Sequence, residues 1–125
     1  MKKTLSLFLA LILLLSLCAC GKSQQYNHAI ETAEEMNNSY NKVCRYYNSG
    51  NKSDMKYELI IFMEHFNNTL DCFLELNSDE MQSFMSEISK QTEDGYQLLY
   101  SMLSGKITSL NQDPSFYNLY MYATS

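Results

Sequence analysis

With 125 residues the chain has room for one domain, and nothing in its composition sets a second block apart. Nine basic side chains stand against fourteen acidic ones, a formal charge of −5, and the basic ones are scattered rather than clustered. That excludes a phosphate-binding surface for nucleic acid, and equally a basic face for anionic lipid headgroups.

In chain order, Lys2 and Lys3 come first, followed by an uncharged run from Leu5 to Leu17 that closes in Leu17-Cys18-Ala19-Cys20. A basic start, an apolar stretch and a small residue at the end form the layout of a signal peptide. As a helix, Leu5 to Ala19 reaches only about 22 Å, short of the ~30 Å hydrocarbon core that a membrane-spanning segment must cross. The last four residues of this segment resemble the lipobox of bacterial lipoproteins. In that family the thiol receives a diacylglyceryl group, and a dedicated peptidase cuts before the lipidated cysteine, favouring a small residue at −1. Ala19 meets that demand for a cut before Cys20; a cut before Cys18 would put bulky Leu17 there. The resemblance covers about the first 25 residues and implies a signal peptide over 1–19. It also implies lipidation at Cys20, a polar tether over 20–25 (Gly21-Lys22-Ser23-Gln24-Gln25 after the cysteine), and residence on the outer face of a cytoplasmic membrane. Two acyl chains at ~0.8 kcal/mol per buried methylene suffice as an anchor. Loss of Lys2 and Lys3 leaves seven basic residues against fourteen acidic, a charge of −7.

From Tyr26 the apolar positions Tyr26, Ala29, Ala33, Met36, Tyr40, Val43 and Tyr47 alternate steps of three and four, which predicts an amphipathic helix. Asn48-Ser49-Gly50-Asn51 ends it, with Ser53 or Asp54 placed to cap the next. The second helix carries Met55, Leu59, Phe62, Phe66, Phe73 and Leu76, thickened by Ile60, Met63, Leu70 and Leu74, and belongs at the core. Asn77-Ser78-Asp79-Glu80 is a capping box opening a third helix. Its stripe runs from Met81 to Leu103 through Phe84, Met85, Ile88, Thr92, Tyr96, Leu99 and Met102. Gly95 inside it costs about 1 kcal/mol relative to alanine and marks a kink or break near Glu93 to Gly95. Asp113-Pro114 starts a short last helix bearing Phe116, Leu119 and Tyr120. The expectation over 26–125 is therefore an all-α domain, a small antiparallel bundle of three long helices and a short C-terminal one.

Cys44 and Cys72 are the thiols left in such a domain besides Cys20. A hairpin turning at Gly50 separates them by about 22 Å along its axis, too far for a disulfide, which needs Cα atoms within ~7 Å. His28 with Glu31, and His65 beside Glu64, invite a metal site, but the same register puts the imidazoles about 12 Å apart and sets His65 opposite Met36. No metal or other cofactor is therefore expected. The glutamates at 31, 34 and 35 and the pair Glu93-Asp94 read as solvated helix faces rather than general acids and bases, and the methionines fall on the apolar stripes. The three N-x-S/T sites lapse with a bacterial reading.

Ten tyrosines without a tryptophan are the unusual feature. Tyrosine loses little side-chain entropy on binding, so a face of Tyr46, Tyr47, Tyr117, Tyr120 and Tyr122 is the candidate partner surface. The sequence reading is thus a membrane-anchored binding or interaction module without catalysis, engaging an envelope protein or cell-wall component. Its alternatives are an accessory solute-binding or sensory lipoprotein with an interhelical cavity, or a small envelope enzyme.

Overall fold

The computed structural model describes residues 23–125. Ala19 and Cys20, with the rest of the signal-like segment, lie outside the described residues. Among the described residues five α-helices follow one another: α1 Gln24–Ser49, α2 Lys52–Leu74, α3 Ser78–Ser89, α4 Asp94–Leu103 and α5 Pro114–Thr124, with a 3-10 turn over Leu110–Gln112 before the last. Among the described residues the regular structure is all helical.

Each boundary has a local cause. Ser23 accepts a hydrogen bond from the Tyr26 amide and caps α1, so the helix begins at Gln24. Three residues assigned to the tether, Ser23, Gln24 and Gln25, thus belong to the domain. Gly50 closes α1 with φ 74°, in the left-handed region, where its amide reaches the Tyr46 and Tyr47 carbonyls. The cap of α2 is Asn51, not Ser53 or Asp54. Its side chain accepts from the Asp54 amide and donates to the Asp54 carboxylate, which draws Asp54 into the first turn. Asn77 and Glu80 form the reciprocal capping box of α3, and Asp113 caps α5 ahead of Pro114.

α1 and α2 form an antiparallel hairpin whose register follows from the turn at Gly50. Tyr40 packs on Phe62 with ring centroids 5.0 Å apart, and His65 Nδ1 lies 3.6 Å from the Glu35 carboxylate. The core joins Ala29, Ala33, Met36 and Val43 of α1 to Met55, Phe62 and Phe66 of α2, Phe84 and Ile88 of α3, Leu99 of α4 and Phe116 of α5. Phe62 is its centre: its ring lies 5.8 Å from Phe66 and 6.0 Å from Phe116, and none of it is exposed.

Two further expectations are corrected. The single third helix is two helices, because the chain leaves helical geometry after Ser89 and resumes at Asp94, so Thr92 sits in the connection. The cause is tertiary. Glu93 turns its carboxylate to α1, accepting from Asn41 Nδ2 at 2.8 Å and Asn37 Nδ2 at 3.0 Å, and Gly95 then presses against Asn37. A β-carbon on Gly95 would lie 2.6 Å from Asn37 Oδ1 and 3.0 Å from its Cα, so the glycine is what lets α4 dock. The second correction is in α2, whose apolar band is wider than the surface that covers it. Ile60 and Leu74 are 60% and 70% exposed, while Met63 and Leu70 are half-buried beside a cleft.

Candidate functional site

Three places carry chemistry beyond packing: the end of the domain at the α1–α2 turn, the opposite end at Ser23, and a cleft on the flank of α2.

At the turn, the last residues of α1 meet the last turns of α5. Tyr47 and Tyr122 pack edge to face with centroids 5.0 Å apart. The Lys52 ammonium lies 5.5 Å from the Tyr122 ring centre, over its face, and donates to the Ser125 carbonyl at 2.6 Å and hydroxyl at 2.9 Å. Tyr46 is half-buried, whereas Tyr47 and Tyr117 are 41% and 44% exposed. Tyr120 stacks on Phe116 at 6.2 Å and lines the cleft. Of the five tyrosines assigned to one face, Tyr47 and Tyr122 are in contact, and Tyr120 also serves a second feature. Tyr57, which lies beside the apolar seam of α2, is exposed, and Met121 is exposed apolar surface that periodicity did not single out.

The opposite end is held by a buried carboxylate. Glu80 accepts from the Ser23 hydroxyl and amide and from the Asn77 amide, so one side chain ties the start of α1 to the start of α3. The Ser23 hydroxyl, followed by the Asn77 and Ser23 amides, outweighs burial and holds the Glu80 carboxyl below its usual range. Glu80 was legible as half of a capping box; its partner 57 positions away was not.

The thiols Cys44 and Cys72 are free and half-buried. Burial, with Asp94 second, pushes the Cys44 thiol upward, which disfavours the nucleophilic thiolate. Burial likewise raises the phenols of Tyr26, Tyr40 and Tyr96, so these act as packed, protonated aromatics. His65 faces Glu35 rather than His28. Among the described residues no group of three His, Cys, Asp or Glu is arranged to hold a metal ion.

The cleft, about 400 Å³, opens between α2, the end of α4, the 3-10 turn and α5. Phe66, Phe116, Met63, Met102, Leu70 and Leu110 make its walls, with Asn67, Thr108, Ser109, Asn111 and Tyr120 also lining it. Residues 104–113 are not a continuous helix, and Thr108 to Asn111 within them line the cleft opposite the half-buried Met63 and Leu70 of α2.

No protein-family model matches this chain, and neither the curated proteins nor the solved structures contain a match to it. Among the described residues no helix is long and apolar enough to cross a membrane.

Proposed function

We propose that the chain is a lipid-anchored interaction module on the outer face of a bacterial cytoplasmic membrane, a small helical bundle that presents its tyrosine-bearing end to an envelope protein or cell-wall component. The anchor reading rests on Leu17-Cys18-Ala19-Cys20 and the basic, apolar segment before it. The observation that carries the orientation is the placement of the two ends. Ser23 is pinned by Glu80 at one end of α1, and Tyr47 and Tyr122 meet at the other. Helical rise makes that distance about 36 Å.

Only Gly21 and Lys22 separate Cys20 from Ser23, a reach of about 10 Å at full extension. A lipid on Cys20 would therefore hold the Ser23 end near the bilayer and leave the tyrosine end outermost. There Tyr47 offers a rigid amphipathic ring of the kind interfaces favour, and Tyr117, also exposed, adds a second one earlier on α5.

Site-directed photo-crosslinking in a bacterial host tests this reading. A photoreactive side chain replacing Tyr47 or Tyr117 is expected to capture the same envelope component, with the Tyr47 adduct lost when Tyr122 is also changed to alanine. The same group at Gln25, exposed at the opposite end, is expected to capture nothing in common with it. Identical adducts from all three positions, or none from the tyrosine positions, would overturn it.

A further inference from the structure

We propose that the cleft between α2, the 3-10 turn and α5 is a binding site for a small, neutral, flat aromatic molecule bearing one hydrogen-bonding substituent. This goes beyond the anchored-module reading and does not depend on it.

Four observations select that ligand. The first is size: about 400 Å³ lies at the lower end of the range for small-molecule sites, which suits a two-ring molecule. The second is charge. Within a chain of net charge −5, none of the lining residues carries a charge at neutral pH, so a charged ligand would be desolvated without a counterion. The third is the shape of the walls. Phe66 and Phe116 form the cleft's buried floor, and half-buried Tyr120, stacked on Phe116 with an interplanar angle of 24°, is the aromatic ring left accessible to a flat ligand. Met63 and Met102 contribute unbranched, polarizable thioethers that adapt to such a ring.

The fourth is the polar lining. Gln112 accepts from the Thr108 amide at 2.9 Å and donates to the Thr108 hydroxyl at 3.0 Å, which staples the loop carrying Ser109, Leu110 and Asn111 in place. These bonds brace the loop internally, which lowers the cost of ordering it around an occupant. Asn67 and Asn111 make no side-chain hydrogen bond of their own among the described residues, so their amides remain available to a hydroxyl or carbonyl on the ligand.

The test titrates the full chain, as isolated and held in detergent micelles, with 2-naphthol, reading methyl NMR of 13C-methionine protein. Methionine-to-leucine changes at 63 and 102 assign the two cleft resonances. Met63 and Met102 are expected to shift saturably, while Met36 and Met55, which have no exposed surface, hold still and report an intact fold. Asn67→Trp, at the cleft, is expected to abolish the response, and Asn68→Trp, exposed but absent from the cleft lining, to leave it. Should Asn67→Trp disturb the core methyls, Asn111→Trp on the 3-10 turn is the second blocking variant. The anion 2-naphthoate is expected to bind at least about tenfold more weakly, as an unpaired charge in an apolar site requires. Shifts that grow linearly without saturation, that spread equally to Met36 and Met55, or that survive both blocking variants would show micelle partitioning and overturn the site. Equal affinity for naphthol and naphthoate would overturn the neutral-ligand assignment.

Discussion

Replacing Gly95 with alanine tests whether the docking of α4 on α1 is built around a missing side chain. Considered as a helix position alone, the substitution should stabilise by about 1 kcal/mol, because alanine is the better helix former. The structure opposes this: the new methyl would sit 2.6 Å from Asn37 Oδ1 and 3.0 Å from Asn37 Cα, and the second neighbour is backbone that cannot rotate away. Overpacking of this kind costs about 1–3 kcal/mol. Displacing Asn37 also disturbs the hydrogen bond it donates to the exposed Glu93 carboxylate. The overpacking outweighs the propensity gain, leaving a net loss of about 1–2 kcal/mol. In a domain of this size that is a drop in Tm on the order of 5–15 °C, measured by circular dichroism melts of the two chains. In an Asn37→Ala background the Oδ1 contact is gone, so the cost of Gly95→Ala should fall by about 1 kcal/mol or more; neighbours that touch are not additive. A neutral or stabilising Gly95→Ala, or one whose cost is unchanged by Asn37→Ala, would refute the reasoning.

Other consequences follow from the same geometry. Phe62→Ala removes a fully buried ring at the centre of the core and should cost about 3–5 kcal/mol, a large share of the 5–10 kcal/mol expected of the domain; a denaturant titration checks it. Glu80 has its carboxyl held below the usual 4.5 by Ser23 and Asn77, so the charged form is favoured by folding. Its contribution is therefore complete above pH 4.5 and lost as pH falls through the depressed value. A pH series of melts should show that acid limb flattened in Glu80→Gln, and an unchanged limb would exclude Glu80 as its source. The Cys44 thiol, raised by burial, should react with iodoacetamide several-fold more slowly at pH 7.5 in the native than in the unfolded chain. Peptide mass mapping would read this, and equal rates would contradict the buried placement.

What the sequence disclosed was what short-range chemistry decides. The closing turn at Gly50, the Asn77–Glu80 box and the Asp113–Pro114 start each need only neighbouring residues, and each appears in the structure. The break between α3 and α4 was blurred because apolar spacing continues through Ile88, Thr92 and Tyr96. What ends the helix is a carboxylate drawn to Asn37 and Asn41, more than fifty positions away. Ser23 read as tether for the same reason, since Glu80 holds it from a distant helix. Ile60 and Leu74 look like core by composition, but five helices of these lengths do not cover the whole of α2. The cleft had no sequence signature, because it comes from tertiary placement of Thr108 to Asn111 near Met63 and Leu70 rather than from any motif. As for the tyrosines, their number suggested a surface, but only packing brings Tyr47 against Tyr122 and sends Tyr120 to the cleft.

The intact mass of the protein extracted from bacterial membranes tests the proposed anchor most directly. A mass equal to residues 20–125 plus a diacylglyceryl group, absent from a Cys20→Ala control, is the expected result. An unlipidated chain recovered from the soluble fraction would contradict the anchored reading and make this a freely released domain.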